Sequence, residues 1–310
     1  MNFDFYIAGC SKDGGVYHCG FDETGAHIKS VTEISEPMYL AREGNQMHIL
    51  LRECYDNRIG GVCTAEILND GDLGEPSAPV STEGVVPCHL CILGGRIYCV
   101  NYISGSVARI PDRLVTHSGC GVNPKRQEGP HTHYINSFDG KYLLCTDLGC
   151  DEIYTYDSEL REVSRVSLPA GSGPRHLISC NDKIFCVNEL GNTVSAFNYT
   201  DGKLNYLYSK PLFDGDTEST AAAIRVYGGF LYVSNRGHDS ISVFSMDGEE
   251  LELIDCDECG VKSPRYFNFI DDVLICTNEA SDNVTFFKLN GGIPQKLDFE
   301  LNIKQPLCVI

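Results

Sequence analysis

Basic residues are scarce in this sequence: 24 lysines and arginines stand against 43 acids in 310 residues, a formal charge of -19 at pH 7. A field of that sign repels polyanions and removes the counterion release on which nucleic-acid affinity rests, so no nucleic-acid partner is expected. Long apolar runs are also missing. No stretch approaches the ~20 apolar residues that span a bilayer, and Met1-Asn-Phe-Asp-Phe5 has neither the basic nor the long apolar region of a signal peptide. No membrane partner is expected, and the chain reads as soluble, unexported and cytoplasmic. Neither a Gly-x-Gly-x-x-Gly string nor a Walker phosphate loop occurs, so no nucleotide cofactor is expected. With 42% hydrophobic and 22% charged residues, the composition excludes disorder, collagen and coiled coil.

What the chain does have is a repeat. An apolar run, a polar anchor, a turn and a second apolar run recur as Ile97-Tyr-Cys-Val-Asn101, Leu143-Leu-Cys-Thr-Asp147, Ile184-Phe-Cys-Val-Asn188, Leu231-Tyr-Val-Ser-Asn235 and Leu274-Ile-Cys-Thr-Asn278. Each anchor is followed six and nine residues later by an apolar pair, such as Val107 and Ile110 or Val194 and Phe197. The same offset extends upstream to Glu53 and Cys10. Seven anchors separated by 41 to 48 residues match the period of a four-stranded propeller blade. The runs are β-branched and aromatic and are bounded by Gly, Asn and Asp, which predicts successive hairpins.

A further strand is expected before several anchors, opened by a proline 14 residues upstream at Pro87, Pro174 and Pro264. Proline suits a strand's first position, where it withholds no ladder donor. The last such opener, Pro306-Leu-Cys-Val-Ile310, has no anchor run after it, whereas Phe5-Tyr-Ile-Ala-Gly9 has no opener before it. The two ends therefore complement each other. The expected fold is all-β: a seven-bladed β-propeller of four-stranded antiparallel blades in one domain, residues 1–310. The N- and C-terminal strands would share a blade and close the ring, which removes exposed sheet edges.

The start of each proline-opened strand and the end of its anchor strand should meet at one rim. That rim would collect His89, His133, Arg175, His176 and Arg265 with Glu53, Glu189, Arg236 and Glu279. The anchors Asn101, Asp147, Asn188, Asn235 and Asn278 repeat regardless of blade and are expected to bond backbone groups in the turns they precede. Residues that vary between blades carry more information. His133, Arg175, Glu189 and Arg236 combine two cations, a carboxylate and an imidazole, the means to bind an anion and move a proton on it.

These strings resemble the seven-bladed propeller lactonase family, which includes 6-phosphogluconolactonase and the fungal carboxy-cis,cis-muconate cyclase. The resemblance runs from Tyr6 to Pro306 and is carried most specifically by His131-Thr-His-Tyr134, Asp139-Gly-Lys-Tyr-Leu-Leu-Cys-Thr-Asp-Leu-Gly149, Gly173-Pro-Arg-His-Leu177 and Ser234-Asn-Arg-Gly-His-Asp-Ser240. It implies a site at the propeller mouth with Glu189 and His133 catalytic and Arg175 and Arg236 binding substrate. His89, Arg265 and His176 are further candidate contacts. Glu189 would be the base, its proton affinity tuned toward neutrality beside the His133 imidazole. The chain departs from the family in its short loops, its abundant cysteine and the Gly-Gly turns at Leu93-Gly-Gly-Arg96 and Tyr227-Gly-Gly-Phe230.

The implied function is hydrolysis of a sugar lactone, 6-phosphogluconolactone to 6-phosphogluconate. The alternatives are a carboxymuconate cycloisomerase-type reaction and a non-catalytic binding platform. The expected partner is a small anionic lactone or carboxylate, with no cofactor. Cys88-His-Leu-Cys91 and Cys256-Asp-Glu-Cys259 lie in different repeats, and the first occupies a strand whose positions i and i+3 face opposite sides, so no metal is expected. The sixteen cysteines, many in apolar runs, are read as reduced core thiols.

Overall fold

The computed structural model describes residues 2–310. Among them, 28 strands form seven four-stranded antiparallel sheets, the blades of a seven-bladed β-propeller, and helix is confined to the single turn Asp56–Arg58. No helix among the described residues is long and apolar enough to cross a membrane. The complementary ends meet as expected. Pro306–Val309 is the inner strand of the blade formed by Phe3–Gly9, Gly15–Asp22 and Gly25–Glu33, with Ile7 opposite Val309 and Ala8 opposite Cys308. Tyr6 and Ile310 exchange both backbone hydrogen bonds, at 2.8 and 3.0 Å.

Two compact units emerge from the contacts, one of residues 50–63 and 78–211, the other of residues 1–49, 64–77 and 212–310. In the first, one core cluster joins Tyr134, Leu144 and Ile153 to Leu177, Ile184, Cys186 and Phe197. Burying a side chain such as Phe197 contributes ~1.5–3 kcal/mol. In the second, aromatic rings fill the blade interior, with Phe3 stacked on Phe21 at 4.9 Å and Phe286 5.2 Å from Phe299.

The repeat has a local cause. Four residues after the anchor, Gly105, Asp151, Asn192, Asp239 and Asp282 all have φ between 47° and 56°. Gly, Asn and Asp tolerate this left-handed region best, so the hairpin that follows each anchor selects them. Three of the acids do more. Asp151 accepts the N–H groups of Gly171 and Gly173, Asp239 that of Ser263, and Asp282 that of Gln305. Each ties its hairpin to the segment entering a later inner strand.

The anchors are structural, and in part as expected: Asp147 accepts the N–H groups of Gly149 and Cys150 in the turn it precedes. Asn188 donates to the Thr193 and Ser195 hydroxyls, Asn235 to Ser240 and Ser242, and Asn278 to Thr285. In these three asparagines the amide nitrogen bonds hydroxyls on the next strand, where the sequence reading expected backbone groups. All sixteen cysteines are free thiols, ten of them buried. Burial pushes the thiols of Cys19, Cys63 and Cys308 up to about 12, which disfavours the thiolate.

Candidate active site

Three inner strands of the unit containing residues 78–211 are built alike. Pro87, Thr132 and Pro174 pair with the anchors Asn101, Asp147 and Asn188, and each strand then slips register by one residue. The bulged residues are Cys88, His133 and Arg175. Pro264–Ile270 of the other unit repeats the pattern with Arg265. A bulge re-aims a side chain out of the pleat's alternation. His133 and Arg175 therefore occupy one row, and His89, Tyr134 and His176 occupy the next. In that second row the rings of His89 and Tyr134 lie 4.1 Å apart, and those of Tyr134 and His176 5.1 Å apart. His133 joins the rows, its ring 5.3 Å from His176 and 5.7 Å from Tyr102.

Glu189 stands beside Arg175 because the Glu189 N–H donates to the Gly173 carbonyl at 2.7 Å. Gly173 has φ +62°, and a Cβ there would meet Leu190 at 2.6 Å, so the approach needs glycine. Arg175 Nε donates to Glu189 Oε2 at 2.8 Å, and both side chains are almost wholly buried, at 2% and 4% exposure. The other carboxylate oxygen, Oε1, accepts from Arg126 Nη2 at 2.6 Å. The same nitrogen reaches the Tyr102 hydroxyl at 3.1 Å. Burial pulls the Arg126 guanidinium down, but Glu189 outweighs it and holds the group above the usual arginine range. Burial pushes the Tyr102 phenol up.

Two guanidinium ions on one carboxylate favour its charged form. Glu189, read from the sequence as a base beside the His133 imidazole, here shares its carboxylate between Arg175 and Arg126. Arg175 also donates from Nη1 to His176 Nε2 at 3.1 Å. A guanidinium offers only donors, so in this hydrogen bond Nε2 is the acceptor.

Beneath this array lies a second polar layer. Gln127 Nε2 donates to the Leu148 carbonyl and to Asp151 Oδ1, and Asp151 also receives the Gly171 and Gly173 N–H groups. One carboxylate thus positions the loop bearing Arg126 and the turn that leads into the strand bearing Arg175. Asp147 accepts the N–H groups of His131, Gly149 and Cys150, and its second oxygen bonds His117 Nδ1 at 2.7 Å. His117 Nε2 reaches the Tyr156 hydroxyl, also at 2.7 Å. His131 in turn stacks on Tyr102 at 4.6 Å and bonds its carbonyl.

Of the residues expected from sequence, Glu189, His133, Arg175, His89 and His176 belong to this one unit, the last four on its inner strands and Glu189 in the turn just after the anchor strand Lys183–Asn188. Arg236 and Arg265 belong to the other. There Arg236 Nη2 donates to the Ala221 carbonyl at 3.3 Å, and Arg265 pairs with Glu279 at 3.2 Å. Arg126 and Tyr102 were missed. Tyr102 follows its anchor as Glu189 follows Asn188, a signal the repeat contained. Arg126 lies in the irregular segment between Arg113–Thr116 and Thr132–Asn136, where no periodicity points to it. Among the described residues, no group of three or more His, Cys, Asp or Glu side chains is placed to hold a metal ion.

Comparison with known proteins gives one consistent result. The family described as Lactonase, 7-bladed beta-propeller matches residues 4–310. An uncharacterised protein of Staphylococcus aureus is 34% identical over 319 residues, covering 92% of each chain. A Bacteroides fragilis structure, provisionally named a 6-phosphogluconolactonase, is 25% identical with a TM-score of 0.90, over 99% of this chain and 97% of that one. The periplasmic gluconolactonase of Pseudomonas aeruginosa shares the fold, with a TM-score of 0.89 at 23% identity over 100% and 99% of the two chains.

Proposed function

Because the chain belongs to the seven-bladed β-propeller lactonase family, we propose that it hydrolyses a sugar lactone, with 6-phosphogluconolactone as substrate and 6-phosphogluconate as product. The observation that carries this reading is the Arg175–Glu189–Arg126 array, its Arg175 and Glu189 buried, set among the imidazoles of His133, His176 and His89. Lactone opening needs a positioned water, an acceptor for its proton, and donors for the oxyanion that forms at the carbonyl.

Ionised Glu189 orients the water by accepting one of its hydrogen bonds. Water oxygen adds to the lactone carbonyl carbon while its proton passes to His133, whose ring lies 5.3 Å from that of His176. The carbonyl oxygen takes the electron pair and is held by a guanidinium N–H. The carbonyl then re-forms, the bond to the ring oxygen breaks, and His133 returns its proton to that oxygen. The acid produced ionises to the carboxylate. No electron is gained or lost, so no redox cofactor is required.

The test is lactone opening measured above the spontaneous rate, at a temperature well below the melting point of each variant. The wild-type protein should accelerate opening of 6-phosphogluconolactone, and Glu189→Gln should lower kcat roughly 100-fold. His133→Asn should do the same and remove the limb of the pH profile that reports imidazole. A wild-type rate equal to the spontaneous one, or two variants as active as the parent, would overturn the assignment.

A further inference from the structure

Arg175 and Arg126 grip the same carboxylate, yet they are unlike. Arg175 is sealed at 2% exposure and committed to both Glu189 and His176. Arg126 is 40% exposed and arrives on a loop from the solvent side. We propose that Arg126 is an anion-operated latch: docked on Glu189 Oε1 and the Tyr102 hydroxyl in the free protein, it transfers to the anionic group of the substrate and so releases Oε1 to hold the attacking water.

This proposal rests on the lactonase reading and deepens it, since it names the feature that separates a phosphorylated or carboxylated lactone from a neutral one. Arg126 can move alone, because its backbone is fixed. Asn123 Oδ1 accepts the N–H groups of Lys125 and Arg126, and the Gln127 N–H donates to the Asn123 carbonyl at 2.8 Å. Gln127 Oε1 accepts the Asn123 N–H, while its amide nitrogen is anchored on Leu148 and Asp151. Only the flexible side chain has to swing. Exchanging one oxyanion for another keeps the guanidinium paired throughout, and the Arg126 side chain, 40% exposed, can meet the incoming anion. Phosphate or carboxylate oxygens accept the planar fork through two donors, and the Nη2 that reaches Glu189 Oε1 is one of them. A neutral lactone offers no such exchange, so the water position stays blocked.

The experiment uses the full chain and compares the parent with Arg126→Gln, Arg126→Lys and, as a control for general charge, Lys125→Gln. Two readouts are taken: kcat/KM for 6-phosphogluconolactone and for gluconolactone, and calorimetric Kd for 6-phosphogluconate and for gluconate. Arg126→Gln should lower the phosphorylated-to-neutral ratio of kcat/KM at least tenfold and weaken 6-phosphogluconate binding by a similar factor. Arg126→Lys, with charge but no fork, should fall between. If both lactones lose the same factor in Arg126→Gln, or Lys125→Gln lowers the ratio as much, the latch is refuted while lactone hydrolysis stands. If the parent opens neither lactone but binds 6-phosphogluconate through Arg126, the anion receptor stands and the hydrolytic reading falls. No turnover and no binding refute both.

Discussion

Glu189→Gln is the substitution that separates catalysis from folding, and its effect on stability can be worked from the geometry. Glutamine keeps the shape of the side chain but removes the charge that compensates Arg175, which is only 2% exposed. Breaking a buried ion pair from one side costs ~3–5 kcal/mol, because the remaining charge is left without its counter-ion. The glutamine oxygen still accepts from Arg175 Nε, which recovers ~1 kcal/mol. Arg126 turns outward into water at little cost. The expected loss is about 2–4 kcal/mol. For a chain of 310 residues, unfolding near the midpoint carries an entropy of roughly 0.65 kcal/mol/K, so the melting temperature should fall by roughly 3–6 °C. Arg126→Gln, which leaves Arg175 and Glu189 paired, should cost under ~1 kcal/mol. Circular-dichroism melts of both variants at pH 7, with urea titrations to check that the slope is unchanged, supply the comparison. If Glu189→Gln melts within 1 °C of the parent while Arg126→Gln is the destabilised protein, the roles assigned to the two arginines are reversed and the reasoning fails.

Two further outcomes test the frame that carries the site. Removing residues 306–310 strips out buried Leu307, Cys308 and Val309 and the paired bonds of Ile310 with Tyr6, so it should cost at least ~5 kcal/mol and lower the melting temperature by roughly 8 °C; a truncated chain melting within about 2 °C of the parent would show that the shared blade contributes little. Asp239→Asn tests the hairpin tie: burial opposes ionisation there, but bonds from Lys262 and the Ser263 N–H outweigh it and hold the carboxyl below the usual range. A depressed folded pKa stabilises above the unfolded value of about 3.9 and is lost as pH falls through the folded one. The variant should therefore be less stable by ~1 kcal/mol at pH 7 and converge with the parent in urea titrations below pH 3, and a constant difference down to pH 2 would exclude the linkage.

The fold was legible because its cause is periodic and local. The six- and nine-residue offsets record an anchor strand, a hairpin and the strand that pairs back onto it, and the proline 14 residues upstream records the inner strand, whose Pro174 does pair with Asn188. The complementary ends were legible for the same reason, as parts missing from an otherwise regular series. The bulge after the proline was not. Register slips depend on how the inner strand meets its neighbour, and neither Pro174-Arg-His nor Pro87-Cys-His states which residue will be extruded. The sequence therefore placed His133 and His176 on one rim without dividing them into two rows. The second role of Asp151 and Asp239 was hidden too, because their residue type is already explained by the left-handed turn they occupy.

Arg126 shows where reading by residue type runs out. A glutamate beside a histidine suggests a tuned base, and a glutamate between two guanidiniums suggests a fixed charge, yet the sequence around Glu189 is the same in either case. The difference comes from a side chain 63 positions away on a segment with no repeat of its own. That distant cation also resolves a conflict in the charge pattern. A chain of formal charge -19 repels an anionic substrate at long range, but such fields are screened beyond ~8 Å at physiological salt. Recognition must then be made at contact distance, by cations that the acidic surface does not already neutralise. Arg175 is held in reserve by Glu189 and His176. Arg126 is the one of the pair that reaches solvent, and its partner Glu189 is the group that hydrolysis would need released.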